Sequence, residues 1–104
     1  MKIGYIRVST GEQNDDLQIA ALKAIGCELF FKDVATGANI KRSQLQKCFK
    51  SLNKGDTLAV YKLDRLGRSP GVIISLLDDL KVWGVAFQSV TEAIDTTTPT
   101  GRVM

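Results

Sequence analysis

The segment YIRVSTGEQ at residues 5–13 joins an apolar run to an abrupt polar end. Residues 2–8 are rich in isoleucine, valine and tyrosine, which is typical of a strand buried on both faces. Ser9 stands where such a strand passes into a helix, and a hydroxyl there lies near the unpaired N–H groups of the helix. Because Arg7 is two residues earlier, both side chains point to the same side of the strand. The segment therefore predicts a central strand that ends in a phosphate-binding position.

The composition indicates one globular domain of 104 residues, enough for a single layered core. The start of the chain lacks the apolar core of a signal peptide, and no apolar run is long enough to cross a bilayer, so we expect a cytoplasmic protein. The sequence has no histidine, which excludes a Ser-His-Asp hydrolase and argues against a metal site. Cys27 and Cys48 occupy apolar positions and are predicted to be buried free thiols. The net charge of +3 weakly favours a polyanionic partner.

Predicted strands and helices alternate along the whole chain. Residues 35–41 show no periodicity and are predicted to form a loop. Ser43 and Gln46 have the spacing of a capping box, and Ser69-Pro70 is a typical helix start. The apolar patterns predict strands over 2–8, 27–34, 57–61 and 85–90, and helices over 12–25, 43–52 and 70–83. In the first of these helices the apolar positions that recur at helical spacing are Leu17, Ala20, Ala21 and Ala24.

This alternation predicts a three-layer α/β fold with helices on both faces of a mainly parallel sheet. The expected sheet has four strands in the order 2-1-3-4, and a short antiparallel fifth strand can follow. Ligands bind such sheets at the carboxyl ends of the strands, where the strand order reverses. That crevice lies between the first and third strands, which are followed by Ser9 and by the segment KLDRLGRSP at residues 62–70. We therefore expect these two segments to meet.

The side chains at this crevice suit phosphate chemistry. Arginine forks bind phosphate oxygens bidentately, stabilise charge in a transition state and favour a nearby serine alkoxide. Arg65 and Arg68 are three residues apart, so they share a face of a helical turn with the carboxyl of Asp64 beside them. Taken singly, each residue has an ordinary interpretation as a helix cap, a solvated charge or a surface ion pair. Their joint placement favours a catalytic site.

Several separated blocks resemble the catalytic domain of the serine site-specific recombinases, the family of resolvases, DNA invertases and related integrases and transposases. The resemblance covers essentially the whole chain. Its blocks are Gly4 to Thr10, Gln13, Leu17-Gln18, Gly55 to Leu58, Lys62 to Ser69, Ile94 to Thr96 and Gly101-Arg102.

The resemblance implies metal-independent and cofactor-independent DNA strand exchange through a covalent 5′-phosphoserine link. Ser9 would be the nucleophile, and Arg7, Arg65 and Arg68 would bind the phosphate and stabilise the transition state. Asp64 would donate a proton or organise the arginines. Gln13 and Gln18 would position the reacting groups, although both also suit a solvated helix face. Arg42 would be a further phosphate ligand, with Ser43 following it where family members often have proline.

The resemblance also implies that residues 1–104 are the catalytic domain alone, ending before a dimerisation helix and a DNA-binding domain. DNA and other copies of the protein, as a dimer and a synaptic tetramer, would be partners of the full-length, nucleoid-associated recombinase. The fragment itself is expected to be mostly monomeric and inactive. One alternative is a non-enzymatic DNA or protein interaction module of the same fold, and a weaker one is a nucleotide or flavin binder that uses the same crevice.

Overall fold

Strands and helices alternate along the chain in the computed structural model, which describes residues 1–9, 15–36, 39–40, 43–67 and 69–96. The strands are β1 (Lys2–Ser9), β2 (Leu29–Thr36), β3 (Asn39–Ile40), β4 (Thr57–Val60), β5 (Ala86–Ser89) and β6 (Ile94–Asp95). The helices are α1 (Asp16–Ala24), α2 (Ser43–Ser51) and α3 (Pro70–Val82), and Leu63–Arg65 form one turn of 3-10 helix, called here the 63–65 turn. None of the helices in these ranges has the length and apolar character needed to cross a membrane.

The six strands form one sheet in the order β3-β2-β1-β4-β5-β6. Strand β1 lies at the centre and pairs in parallel with β2 on one side and β4 on the other, and β5 extends the parallel part beyond β4. The predicted order 2-1-3-4 is confirmed by β2-β1-β4-β5. The short antiparallel strand allowed for in the prediction is β6, which pairs with β5.

Strand β3 contradicts the prediction of a loop over residues 35–41. Strand β2 continues through Ala35 and Thr36, and these residues pair antiparallel with Ile40 and Asn39. The two-residue β3 is too short to show any alternation of apolar and polar residues, so a pattern search cannot detect it. The sheet therefore has a second antiparallel edge that the sequence did not predict.

Alternate residues of β1 build two apolar layers on opposite faces of the sheet. Ile3 and Tyr5 face the layer that contains α2 and α3, whereas Ile6 and Val8 face α1. A β-carbon at Gly4 would lie 3.0 Å from Phe30 Cδ1 and 3.1 Å from Leu22 Cδ1. Glycine thus lets Leu22 of α1 pack closely on the central strand. The predicted three-layer architecture is confirmed, with β1 buried on both faces.

Helix α1 turns a different face to the sheet from the one predicted. The sequence pattern placed Leu17 among the apolar contacts, but Leu17 is 66% exposed. The buried positions are Gln18 and Leu22, which lie one turn apart. The buried face of α1 includes a glutamine, and a search for apolar periodicity does not detect this face because it counts glutamine as polar. The helix begins at Asp16, and residues 12–14 of the predicted helix lie outside the described residues.

Two helix starts are stabilised in different ways. At α3, Ser69 Oγ accepts a hydrogen bond from the Val72 N–H at 3.3 Å, and Pro70 occupies the first turn, as predicted. At α2, the buried carboxylate of Asp33 on β2 accepts from the backbone N–H groups of Gln44 and Leu45, at 3.1 and 3.0 Å. The predicted capping box depends on the Ser43 side chain, which lies outside the described part of the structure. The described cap of α2 therefore comes from a neighbouring strand.

Candidate active site

Arg7 joins the end of β1 to the segment that follows β4. Its side chain is buried, with 8% of the residue exposed, and Nη2 donates a hydrogen bond to the backbone carbonyl oxygen of Asp64 at 2.6 Å. The two partners lie on the chain where the strand order reverses, at the carboxyl ends of β1 and β4. Arg7 and the 63–65 turn, which the sequence predicted to meet, are in direct contact.

Asp64 and Arg65 occupy the 63–65 turn with different degrees of exposure. The Asp64 side chain is 67% exposed, whereas that of Arg65 is 18% exposed. Arg65 Nε lies 3.9 Å from Asp64 Oδ1, which is the outer limit of an ion pair and contributes little stability at a surface. Asp64 therefore contacts Arg7 through its main-chain carbonyl oxygen, and its carboxylate stays accessible from solvent.

Gln18 lies beside Arg7 rather than on a solvated helix face. The residue is 5% exposed, and Nε2 lies 3.4 Å from the Arg7 carbonyl oxygen. Its amide oxygen Oε1 is buried and has no hydrogen-bond partner among the residues described. A buried amide oxygen without a hydrogen-bond partner is costly in free energy. This placement brings Gln18 next to the strand that carries Arg7 and Ser9.

Ser9 is the last residue of β1, and its backbone pairs with Ala35 of β2. Its position at the carboxyl edge of the central strand agrees with the prediction. The Ser9 side chain lies outside the described part of the structure, and so do Gln13, Arg42 and Arg68.

Asp33 is a residue of this region that the sequence analysis missed. Besides capping α2, its Oδ2 accepts a hydrogen bond from the Tyr5 hydroxyl at 2.9 Å, and both residues are buried. The contact ties the start of α2 to the central strand two residues before Arg7. An acidic residue inside the apolar strand LFFKDVAT was a detectable signal, since a buried carboxylate needs several donors.

Glu92 is a second missed residue, in the connection between β5 and β6. Its Oε1 accepts from the Leu63 N–H at 3.2 Å, from Thr91 Oγ1 at 2.9 Å and from Ser89 Oγ. Burial alone would raise the pKa of this carboxyl, but these hydrogen bonds outweigh burial and hold the pKa of Glu92 below its usual value. No local pattern marks Glu92, because its partner Leu63 lies 29 positions away.

The described residues contain no cluster of three or more histidine, cysteine, aspartate or glutamate side chains that could hold a metal ion. Cys27 and Cys48 are buried free thiols, as predicted. Burial raises the pKa of Cys27 to about 11, although nearby Lys2 lowers it somewhat, and it raises the pKa of Cys48 to about 12. Both thiols are therefore protonated near neutral pH and unsuited to nucleophilic chemistry.

The fold and the place of these side chains define a class of protein: a mainly parallel α/β domain with its polar site at the switch point of the sheet. The model of the family described as "Resolvase, N terminal domain" matches residues 2–104. The chain belongs to this family. The resemblance seen in the sequence is confirmed, and the match extends over nearly every residue.

Individual relatives agree with the family assignment. The chain is 52% identical over 102 residues to a DNA-invertase of Escherichia phage P1, covering 98% of this chain and 55% of that protein. It is equally identical to the serine recombinase gin of Escherichia phage Mu, covering 98% of this chain and 53% of that protein. The chain thus spans about half the length of these relatives.

A solved structure supports the same fold. The N-terminal catalytic domain of TP901-1 integrase matches with a TM-score of 0.75 and 31% sequence identity. The alignment covers 99% of this chain and 87% of that one.

Proposed function

We propose that this chain is the catalytic domain of a serine recombinase, and that the complete protein breaks and rejoins DNA at specific sites without a metal or cofactor. The observation that carries the proposal is the hydrogen bond from Arg7 to the Asp64 carbonyl oxygen, 2.6 Å long. It brings a buried guanidinium and the acidic, arginine-bearing 63–65 turn to the edge of the sheet where β1 ends in Ser9. The family match supports the same reaction.

In the proposed reaction, the Ser9 hydroxyl attacks a backbone phosphorus of DNA. A bond forms between Ser9 Oγ and phosphorus as the bond from phosphorus to the 3′ oxygen breaks, which leaves a 5′-phosphoserine link and a free 3′-hydroxyl. The serine proton leaves with solvent, and the departing 3′ oxygen gains one, for which the exposed carboxyl of Asp64 is the candidate donor. A 3′-hydroxyl then attacks the phosphorus of the phosphoserine and loses its proton, and the bond between Ser9 Oγ and phosphorus breaks as Ser9 Oγ regains a proton, which rejoins the strand.

The remaining residues take supporting roles in this proposal. Arg7 and Arg65 are partly or wholly buried, so their charges act in a medium less screened than water. Gln18 positions the Ser9 segment through the backbone of β1. Arg68 and Arg42 are proposed as phosphate ligands and Gln13 as a positioning residue, on the family resemblance alone.

The length of the relatives supports a further part of the proposal, that this domain acts within a longer protein. DNA would be its substrate, and other copies of the protein would be its partners in a dimer and a tetramer. Such a protein would work in the cytoplasm, at the nucleoid. The DNA-invertase of phage P1 and the serine recombinase gin are nearly twice as long as the chain that matches them.

The experiment uses the full-length recombinase that contains this domain, incubated with DNA carrying its site. We expect Ser9→Ala to abolish the covalent protein–DNA adduct on denaturing gels while leaving binding of the site intact. Ser75→Ala, at an exposed position of α3, is the matched control and should form adducts at the normal rate. Adducts that persist in Ser9→Ala would exclude Ser9 as the nucleophile, and binding without any adduct in the unmutated protein would favour the non-enzymatic module.

A further inference from the structure

The 63–65 turn lacks a helix cap from its own segment. Lys62 precedes the turn in an extended conformation and makes no side-chain cap. The turn closes through hydrogen bonds from Arg65 N to Lys62 O and from Leu66 N to Leu63 O, which leave the first N–H groups of the turn to find other acceptors. An acceptor that binds these backbone N–H groups would fix the start of the segment that carries Asp64 and Arg65.

Glu92 supplies that acceptor from another part of the sheet. Its Oε1 accepts from the Leu63 N–H at 3.2 Å, and the Glu92 side chain is held in turn by the hydroxyls of Thr91 and Ser89. Ser89 is 1% exposed, so one of these bonds anchors the carboxylate to the core. A carboxylate held by three donors makes a charge-assisted cap of defined position.

The backbone beside Glu92 is hydrogen-bonded to the segment that leads into the 63–65 turn. After β4 and β5 end, Val90 N still donates to Val60 O at 3.1 Å and Thr91 N to Tyr61 O at 3.0 Å. Ala93 then adopts a φ of 55°, a left-handed conformation that strains a residue with a β-carbon. Glu92, whose side chain contacts the Leu63 N–H, thus lies directly before a residue in the left-handed conformation.

We infer that Glu92 is a positioning residue of the candidate active site, which acts by fixing the 63–65 turn against β1. The path runs from the Glu92 carboxylate to the Leu63 N–H, along the turn to the Asp64 carbonyl, and from there to Nη2 of Arg7. Glu92 touches neither Ser9 nor DNA in this proposal. Glu92 fixes the positions of the Arg7 guanidinium and the Asp64 carboxyl. The inference rests on the proposed function only where it predicts an effect on catalysis.

The contact itself is tested on the 104-residue chain by amide hydrogen exchange. Glu92→Gln keeps the size of the side chain but removes its charge, and we expect exchange at Leu63 to become about tenfold faster, the factor that corresponds to weakening one charge-assisted hydrogen bond. Glu28→Gln is the matched control, since Glu28 is exposed and precedes β2, which lies on the opposite side of β1 from β4 and β5. Exchange at Leu63 that stays within twofold of the unmutated chain would overturn the inference.

The consequence for catalysis is tested in the full-length recombinase by single-turnover adduct formation. We expect Glu92→Gln to lower the rate constant about tenfold while the Kd for the DNA site is unchanged, because the turn is displaced and the binding surface is not. Glu28→Gln, the control of the exchange experiment, should leave the rate within twofold. A Glu92→Gln variant with a lower melting temperature and an unchanged rate would show that Glu92 merely stabilises the β5–β6 connection, and that result would refute the positioning role. If the unmutated protein forms no adduct, the proposed function fails, whereas the exchange experiment still decides whether Glu92 fixes the turn.

Discussion

Replacing Asp33 by asparagine should destabilise the domain strongly, because this one carboxylate serves three donors. Oδ2 accepts from the Tyr5 hydroxyl and the Leu45 N–H, and Oδ1 accepts from the Gln44 N–H. Asparagine keeps one oxygen, so its NH2 group must face at least one of these donors. Losing one charge-assisted bond costs about 1.5–3 kcal/mol, and weakening the other two raises the expected loss to about 2–4 kcal/mol.

The loss is measurable as a shift in melting temperature. For a domain of this size each kcal/mol corresponds to roughly 4–8 °C, so Asp33→Asn should melt about 8–32 °C below the unmutated chain in circular dichroism. Tyr5→Phe is the control, since it removes one of the three donors and leaves the cap of α2 intact, and it should cost about 1.5 kcal/mol, the lower end of the range for a charge-assisted bond. A decrease under about 3 °C for Asp33→Asn, with a native spectrum, would show that the α2 cap does not depend on this carboxylate.

Two further predictions concern titratable groups. A hydrogen bond from the Asn53 N–H, and to a smaller extent one from the amino group of Met1, lower the pKa of Asp56 below 3.8. The ionised Asp56 therefore stabilises the fold above that pH, and this contribution is lost as the pH falls through the pKa of the folded state. Urea unfolding of Asp56→Asn should therefore show a smaller loss of stability between pH 5 and about 3 than the unmutated chain, and equal acid sensitivity would contradict the assignment. Burial raises the pKa of Cys48 to about 12, and Cys27 is buried as well. Neither thiol should therefore react with a disulfide reagent at pH 8 unless urea is added to unfold the chain. A rapid stoichiometric reaction of the folded chain would show that burial does not protect the thiols.

The parts of the fold that were predictable have local causes. Residues 3–8 are mostly apolar because β1 is buried on both faces, and Ser69-Pro70 marks the start of α3 because its cap is contiguous in sequence. The alternation of strands and helices predicted the parallel sheet, and the order 2-1-3-4 is a common one for such sheets. From that order came the expectation that Arg7 and the 63–65 turn would meet.

The parts that were missed depend on contacts between distant residues. The position of Asp33 in an apolar strand is a local signal, but it does not show which helix the carboxylate caps, since that helix begins ten residues later. Glu92 accepts from Leu63 across 29 positions and leaves no local pattern. Gln18 was missed as a buried residue because burial of a glutamine depends on what packs over it. The sequence predicted that Arg7 and Asp64 would lie close together, but it did not predict which atoms would be in contact. The group that binds Arg7 is a main-chain oxygen that any residue could supply.

The central position of β1 has a consequence for how the domain forms during translation. The bond from Arg7 to Asp64 joins residues 57 positions apart, so at roughly 5–20 residues per second the ribosome needs several seconds to deliver the second partner after the first. Until β4 has emerged, one edge of a mostly apolar strand stays open to pairing with other chains. The nascent polypeptide therefore passes through an interval in which the strand that later carries the site has an unpaired edge, and the Arg7 contact forms only after that interval has ended.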